Sequence, residues 1–192
     1  AYWLGFLFGD GYNNEDRGQV EVVLQHRDKY HLHNFVSFVG GNEHVKVNNK
    51  LANIGNNEYK ACRVILTSQK MSSNLAKLGC IQNKSLVVKY PKISSEFDSS
   101  FIAGYFDANG SISRDRIAIY SGSECILNTI SQILITNNII SSGKLIFDTK
   151  SKGVSYHLHG KNQAQLFYNY IYSNLDVSKC LKRKIDKFSQ VS

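Results

Sequence analysis

The sequence lacks the features that would assign it to several large classes of protein. Its four cysteines lie far apart and form no CxxC pair, so neither a zinc site nor a redox motif is indicated. No apolar run approaches the roughly 20 residues that span a bilayer, and no basic-then-apolar leader opens the chain. We therefore expect no membrane partner, and an intracellular rather than secreted protein, in a bacterial or phage cytoplasm rather than an organelle. The cysteines are Cys62, Cys80, Cys125 and Cys180.

Negative charge is also scarce. The chain has 23 Lys and Arg against 15 Asp and Glu, which gives a formal net charge of +8 and a pI near 9.3. This balance favours a polyanionic partner, although basic charge by itself does not identify a nucleic-acid-binding protein. Of the 192 residues, 42% are hydrophobic. We therefore expect one compact domain, or two small halves with a continuous core, rather than disorder.

Two short stretches of the sequence resemble each other. Residues 2–12 and 101–111 are both apolar, contain small residues and end in a polar turn. They align when the chain is shifted by 99 positions. The alignment pairs Gly5 with Gly104, Gly9 with Ala108, Asp10 with Asn109, and Gly11 with Gly110.

The sequence after each stretch repeats as well. A period-2 alternation typical of a half-buried strand gives way to a helical spacing of apolar residues, in the second half behind Ser123 as the predicted N-cap. A strand pair and a further helix follow, so each half is predicted to be αββαββα, an α+β fold. The predicted strand pairs cover 45–48 with 59–66 and 144–150 with 154–159.

The division between the halves is predicted at the only proline. Pro91 opens a polar segment, so we expect a first half at 1–91, a linker at 92–100 and a second half at 101–192. The alternative is an ordinary α+β domain whose halves resemble each other by chance. Three features recurring in the same order favour the repeat.

The two repeated stretches are predicted to be helices that pack on each other. Residues four apart share a helix face, so Gly5 with Gly9, and Gly104 with Ala108, form strips of small residues that let two backbones approach closely. The glycines after them, at 11 and 110, are expected to adopt the left-handed turn that ends a helix. Side-by-side packing would bring the oxygen-bearing side chains just before those turns together.

Oxygen ligands on a basic surface suggest a hard cation. Mg²⁺ prefers such ligands and usually keeps several waters beside one or two carboxylates and a substrate phosphate. Ions of this kind promote phosphodiester hydrolysis. Taken alone, Asp10 would be interpreted as a solvated residue at a helix end, and it is the duplication that favours a metal site.

The two stretches resemble the motif that names the LAGLIDADG homing endonucleases, and the likeness extends from Tyr2 to Phe188. It is similar above all to single-chain bacterial, phage or intron-encoded members, in which a tail like residues 181–188 closes the second half. Members often carry further sequence before the first motif. The resemblance implies two pseudo-symmetric halves packed through their motif helices, with antiparallel sheets forming a saddle over double-stranded DNA.

The resemblance also implies a function and a cofactor. It implies a site-specific endonuclease, associated with intron or intein mobility, that cleaves double-stranded DNA with Mg²⁺ or Mn²⁺, with Ca²⁺ binding without supporting cleavage, and that uses no organic cofactor. Pseudo-twofold symmetry within one chain predicts a monomer that reads a long, imperfectly palindromic site.

The metal position implied by the resemblance is the last acidic residue of each motif. It is Asp10 in the first motif, but Asn109 in the second, with Gly9 and Ala108 as neighbouring metal-contacting candidates. An amide carries no charge and is a poorer Mg²⁺ ligand than a carboxylate. The expected outcomes are preferential cutting of one strand, slow cutting, or binding without cutting. Asp107 matches a residue that caps or packs in the family, and is not expected to replace the charge.

A lysine near the scissile phosphate is also implied in each half. The matching positions are Lys84 in the first half and Lys184 in the second, with Lys182 close behind. Such a lysine stabilises developing charge or positions water. The alternative for each is a solvated surface lysine.

Alternate side chains of the predicted strands are the candidates for reading bases in the major groove. A polar strand face that is merely solvated is the alternative for each of them. The histidine pairs 31/33 and 157/159 are not interpreted as metal sites, because the first falls in a helix pattern and the second has no third ligand. The candidates are Gln19, Glu21, Gln25, Arg27, Lys46, Asn48, Arg63, Arg114, Arg116, Tyr120, Lys144, Lys150, Ser155, His157 and His159.

Two other functions stay open at this point. The same fold without cleavage would serve as a DNA-binding regulator or an intron-RNA maturase, and the asparagine at 109 is the reason to consider it. A protein-interaction domain without any nucleic acid is the third possibility. Salt-insensitive binding would favour it, because phosphate contacts weaken steeply with ionic strength.

Overall fold

The computed structural model describes residues 1–40, 48–54, 57–113, 116–141, 144–148, 153–159 and 161–188. These residues form the predicted repeat of helices and strands. The first copy comprises α1 (Tyr2–Asp10), β1 (Gly11–Asn14), β2 (Gln19–Gln25), α2 (Lys29–Phe38), β3 (Asn48–Ile54), β4 (Asn57–Thr67) and α3 (Gln69–Lys77). The second comprises α4 (Asp98–Asn109), β5 (Gly110–Ser113), β6 (Arg116–Ser121), α5 (Glu124–Thr136), β7 (Lys144–Asp148), β8 (Gly153–His159) and α6 (Lys161–Tyr172). A closing helix, α7 (Lys182–Phe188), follows.

Each copy carries one antiparallel four-stranded sheet. The strand orders are β1-β2-β4-β3 and β5-β6-β8-β7, so both copies have the same topology. Alternation along the strands sends Val20, Val22 and Leu24 of β2 into a core, and Ile117 and Ile119 of β6 into another. The opposite face of each sheet carries polar side chains, among them Gln19 and Glu21 of β2 and Arg116 of β6.

The contacts group the chain into two compact units. One consists of residues 10–82, and the other of residues 1–9 together with the chain from residue 83 onward. In the first, Asn13 is fully buried, and its amide donates to the carbonyl oxygens of Ser72 at 3.0 Å and Cys80 at 2.8 Å. These bonds tie β1 to α3 and to the residues just after it.

The unit built on the second copy has an aromatic core. Among its largest fully buried side chains are Tyr105 and Phe106 of α4, Tyr156 of β8 and Phe167 of α6. The rings of Phe106 and Phe167 meet edge to face at 5.1 Å, a geometry that aromatic pairs prefer. The predicted linker ends within helical structure, since α4 begins at Asp98.

Within this second unit, α1 packs on α4 with almost no space between the backbones. A methyl group added at Gly5 would overlap the carbonyl oxygen of Phe101, and one added at Gly104 would overlap that of Tyr2. The small-residue strips expected from the sequence therefore form the contact. Both helices are buried nearly all round, as the even distribution of their apolar residues requires.

Several local expectations need correction. Gly110 is extended, with φ −89° and ψ 160°, and neither it nor Gly11 has the positive φ of a left-handed turn. A side chain at 110 is excluded for another reason, because it would overlap the Phe106 ring. Left-handed glycines do stand after α2 and α3, at Gly40 (φ 70°) and Gly79 (φ 101°).

One further detail differs from the sequence pattern. Ser123 is the N-cap residue of α5 as predicted, but its hydroxyl donates to the carbonyl oxygen of Val88 at 2.7 Å instead of capping the helix. Of the strand predicted at 45–48, Asn48 lies in β3, and residues 45–47 lie outside the described part of the chain.

Candidate functional site

The ends of the two motif helices are the first part of the candidate site. α1 ends at Asp10 and α4 at Asn109. A methyl group at Gly9 would overlap the Cβ of Ala108 and lie 3.2 Å from the amide nitrogen of Asn109, so α4 ends directly against Gly9. Asp10 is the next residue in the chain and is exposed.

Asp107, two residues before Asn109, is the centre of a buried hydrogen-bond network. Asp107 is fully buried, and its carboxylate accepts hydrogen bonds from the hydroxyls of Tyr2 and Tyr172, both at 2.5 Å, and from the backbone N–H of Leu181 at 2.8 Å. Burial raises the pKa of Asp107 to about 6, although these hydrogen bonds and the charge of Lys184 act to lower it. The carboxylate is thus committed to joining α1, α4, α6 and the start of α7.

The same network shifts the pKa values of the two tyrosines. Burial raises the pKa of Tyr2 and of Tyr172 well above the usual value of 10.0, and the neighbouring Asp107 charge raises both further. Both hydroxyls therefore keep their protons and act as hydrogen-bond donors at neutral pH.

The three candidate lysines fall into two groups. Lys84 and Lys184 are 6% and 3% exposed, so neither is a solvated surface lysine. The ammonium of Lys184 donates to the carbonyl oxygen of Gly110 and lies 5.2 Å from the centre of the Phe106 ring. Lys182 is different, because its side chain is 72% exposed and pairs with Asp186 at 2.9 Å.

In the unit of the second copy, the open face of the sheet carries four of the DNA-contact candidates with described side chains. Register places Tyr120 of β6 opposite Ser155 of β8, and Ala118 opposite His157. Arg116 and Tyr120 are exposed, whereas Ser155 and His157 are each 8% exposed. Of these four candidates, Arg116 therefore offers a cation and Tyr120 an aromatic ring to solvent.

The open face of the other sheet carries Gln19, Glu21 and Gln25 of β2, as the alternation predicted. Arg63 of β4 lies on this face and forms an ion pair with Glu21 at 3.6 Å. Val23, opposite Arg63, interrupts the polar pattern.

The remaining DNA-contact candidates have other positions. Arg27 was expected on a strand, but β2 ends at Gln25, and Arg27 lies in a single 3-10 turn from His26 to Asp28. Asn48 is the exposed first residue of β3. Lys144 begins β7 and His159 ends β8, and only their backbones are described. Lys46, Arg114 and Lys150 lie outside the described residues.

A cleft that the sequence did not indicate opens beside Asn109. It encloses about 470 Å³ within the unit of the second copy, between the ends of α1 and α4, the residues after Lys84, and the ends of β6 and β8. Its polar lining includes Asn109, Ser85, Ser121 and His157. No local pattern predicts it, because its walls come from five separate parts of the chain.

The groups at the ends of the two motif helices bear oxygen atoms, the ligand type that Mg²⁺ prefers. No cluster of three or more His, Cys, Asp or Glu occurs among the residues that the structure describes. The candidates at the motif-helix ends offer only oxygens, namely the Asp10 carboxylate, the Asn109 amide oxygen and the carbonyl groups of Gly9 and Ala108. One carboxylate with neutral oxygens matches the few protein ligands that Mg²⁺ takes beside water and phosphate. Within the described parts of the chain, no helix is long and apolar enough to cross a membrane.

Comparison with known proteins gives a family match. Residues 96–182 match the family described as "LAGLIDADG-like domain". The replication factor C small subunit of Methanocaldococcus jannaschii is 23% identical over 205 aligned positions, which cover 100% of this chain. The chain spans about a tenth of the length of that curated relative.

Solved structures match over nearly the whole chain. The homing endonuclease I-WcaI bound to its DNA recognition sequence is 13% identical with a TM-score of 0.66, covering 97% of this chain and 84% of that one. I-DmoI in complex with DNA and Mn is 18% identical with a TM-score of 0.55, covering 91% of this chain and 96% of that one. These likenesses establish the fold.

Proposed function

We propose that the chain is a LAGLIDADG protein and a site-specific endonuclease that cleaves double-stranded DNA with a divalent metal. The family match at residues 96–182 and the fold shared with the homing endonuclease I-WcaI support this proposal. The observation that carries the proposal is the contact between α1 and α4. Small residues at Gly5, Gly9 and Gly104 let the two helix backbones lie in direct contact. The contact extends to Gly9 and Ala108, the residues that directly precede Asp10 and Asn109 in the chain.

The metal would be held by oxygen ligands at those ends. Asp10 supplies the carboxylate, Asn109 a neutral amide oxygen, and Gly9 and Ala108 backbone carbonyls. Mg²⁺ or Mn²⁺ would supply an activated water and stabilise the leaving oxygen of the phosphodiester. The Mn in the I-DmoI complex with DNA supports this choice of cofactor.

The chain's own contribution to catalysis is charge and positioning. With one carboxylate instead of two, the site is electrostatically asymmetric, so we propose that the two DNA strands are cut at unequal rates. Lys84 and Lys184 are proposed to stabilise charge at the phosphate, and their burial would preserve that charge from screening. Lys182 is exposed and ion-paired, which makes it the weakest candidate of the three.

The DNA is proposed to lie on the open faces of the two sheets as a long pseudo-palindromic site, bound by a monomer. The net charge of +8 supports a phosphate-rich partner. Glu21 with Arg63, and Arg116 with Tyr120, are the described side chains best suited to base contacts. The DNA recognition sequence bound by I-WcaI supports a site-specific partner of this kind.

The test is cleavage of a plasmid carrying a target selected from a random library. With Mg²⁺ or Mn²⁺ we expect nicked product to appear before linear product, and Ca²⁺ to support binding only. Asp10→Asn should abolish both products, whereas Glu124→Gln, which removes an exposed carboxylate on α5, should leave both unchanged. Product that persists in Asp10→Asn would refute the proposed metal site.

The second candidate function is a binding module that does not cut, either a DNA-binding regulator or an intron-RNA maturase. The neutral Asn109 favours it, because an amide at this position is a weaker metal ligand than a carboxylate. Asn109→Asp separates the two cases. It should raise the cleavage rate of an endonuclease by at least about tenfold, the value of roughly 1.4 kcal/mol in the barrier. Tight binding with no product even in this variant would favour the non-cutting module.

A further inference from the structure

The cleft beside Asn109 has the size and position of a ligand site, and apart from Gly9 and Asn109 its lining residues have no role in the proposed cleavage chemistry. Its volume of about 470 Å³ lies within the roughly 300–1,000 Å³ typical of small-molecule sites. It opens at the polar face of β6 and β8, where Tyr120 and Ser155 stand opposite each other. A DNA duplex on that face would cover its mouth.

The lining of the cleft suits a flat aromatic ligand. The Tyr120 ring is 45% exposed and meets His157 at a centroid distance of 6.5 Å with the rings 73° apart. Edge-to-face contact with His157 steadies the Tyr120 ring and leaves it able to stack on a base. Such stacking is tolerant of sequence, because every base has a π face. Phe8, Tyr105 and Val154 add apolar walls.

The Asn109 amide is a hydrogen-bonding group in the lining of the cleft. It is half-buried. A methyl group at Gly9 would lie 3.2 Å from its nitrogen, so the glycine leaves space beside it. The amide therefore offers one donor group and one acceptor side by side. Adenine presents the complementary pair, an amino donor beside a ring-nitrogen acceptor.

Hydroxyl groups support the same type of ligand. Ser121 accepts hydrogen bonds from Tyr105 and from the backbone N–H of Ser123, both at 3.0 Å, which fixes its oxygen at the cleft wall. Ser85, on the residues that follow Lys84, is exposed and lines the opposite side. The lining thus combines an aromatic surface, an amide and hydroxyls, without a carboxylate that would repel phosphate.

We propose that this cleft binds one nucleobase, an adenine, extruded from the bound duplex, with Tyr120 stacking on the base and Asn109 pairing with its edge. The inference rests on the proposed DNA-binding function. It gives the asparagine of the second motif a role in recognition that an aspartate, which has no donor, could not fulfil. The amide oxygen has two lone pairs, so that one accepts from the base while the other is left for the proposed metal. It also explains why an open cavity lies beside the cleavage position.

The test uses the full chain and duplexes of the selected target in which each base pair in turn is replaced by a mismatch or by an abasic site. Extrusion costs least at a base that is already unpaired. At one adenine position we therefore expect the mismatch to tighten binding by about tenfold, and an abasic site to give no such gain, because no base is left to bind. A pattern in which no mismatch tightens binding would overturn the proposal and favour a cleft filled by sugar and phosphate.

Two variants and a control identify the cleft as the cause. Tyr120→Ala and Asn109→Asp should each remove most of the mismatch gain. Phe97→Ala removes an equally exposed ring, 46% against 45%, outside the cleft, and should keep the gain. Loss of the gain in all three variants, or in none, would contradict the assignment. Urea midpoints close to that of the parent protein verify that each variant is folded.

The outcomes separate this inference from the proposed function. Salt-sensitive binding and cleavage of the fully paired target, without any mismatch gain, would refute the base-extrusion site but support the endonuclease function. Absence of any salt-sensitive DNA binding would refute both proposals.

Discussion

The hydroxyl of Tyr2 donates a 2.5 Å hydrogen bond to the carboxylate of Asp107, across 105 positions of sequence. The same carboxylate accepts from Tyr172 and from the N–H of Leu181, so one buried group joins three helices and the residue before α7. Because burial dominates, its pKa is raised to about 6 from 3.8. The carboxyl group thus couples the packing of α1 on α4 to pH.

The first prediction concerns stability against pH. Below pH 3.8 Asp107 is protonated in both states, whereas between 3.8 and about 6 only the unfolded chain has lost the proton, so its contribution to stability falls as pH rises. Across that window we expect a loss on the order of 3 kcal/mol. Urea titrations at pH 4 and pH 7 should show the loss in the parent protein and in Asp186→Asn, but not in Asp107→Asn. An equal pH response in Asp107→Asn would refute the assignment.

The second prediction concerns the glycine contact. Gly104→Ala should cost about 3 kcal/mol of unfolding free energy or more, because the methyl group overlaps the Tyr2 carbonyl oxygen, although alanine is the better helix former by about 1 kcal/mol. Gly40→Ala is the matched control. It enters open space and should cost only about 1 kcal/mol, for the left-handed φ of 70°. Similar costs for the two variants would contradict the close packing.

The third prediction separates the lysines. Lys182→Ala should change stability by less than about 0.5 kcal/mol, since an exposed i,i+4 ion pair contributes little. Lys184→Ala should cost about 2 kcal/mol, because it removes a buried side chain that packs on Phe106 and leaves the Gly110 carbonyl oxygen without this donor. Urea unfolding of each variant and of the parent protein, at low and at high salt, should show these two changes in unfolding free energy. A greater loss for Lys182→Ala would reverse this assignment.

The fourth prediction concerns base reading by the other sheet. Arg63 is paired with Glu21, which limits its orientation. Arg63→Ala should cost about 1 to 3 kcal/mol of DNA affinity and relax specificity at one position of the target. Glu21→Gln should leave the fold unchanged and broaden specificity at that same position. Uniform weakening across all target sequences would instead indicate a phosphate contact.

The sequence predicted the parts of this fold that depend on local pattern. The small-residue positions Gly5 and Gly104 and the strand alternation follow from spacing within one element. The family resemblance implied positions 84 and 184, and the structure finds both lysines buried. The sequence could not predict which groups each lysine contacts, because those groups are distant in the chain.

The incorrect expectations also have physical causes that lie in contacts between residues distant in the chain. Ser123 follows the N-cap pattern, yet a carbonyl group brought close by tertiary packing takes its hydroxyl. Gly110 has the sequence position of a left-handed turn, but β5 begins there and the neighbouring Phe106 ring excludes a side chain. The cleft draws its walls from residues between Phe8 and His157, and no window of sequence contains them together.

The placement of α1 has a consequence for how the chain reaches its native state on the ribosome. Residues 1–9 group with the chain from residue 83 onward, and their glycine contact is with α4, at Phe101 to Gly104. α1 is therefore synthesised before residues 11–97, and its partner α4 exists only after them, while residues 10–82 have their own sheet to form. During that interval an apolar segment with Trp3, Phe6 and Phe8 is uncovered, and slow translation of the second half would lengthen its exposure to chaperones and to aggregation.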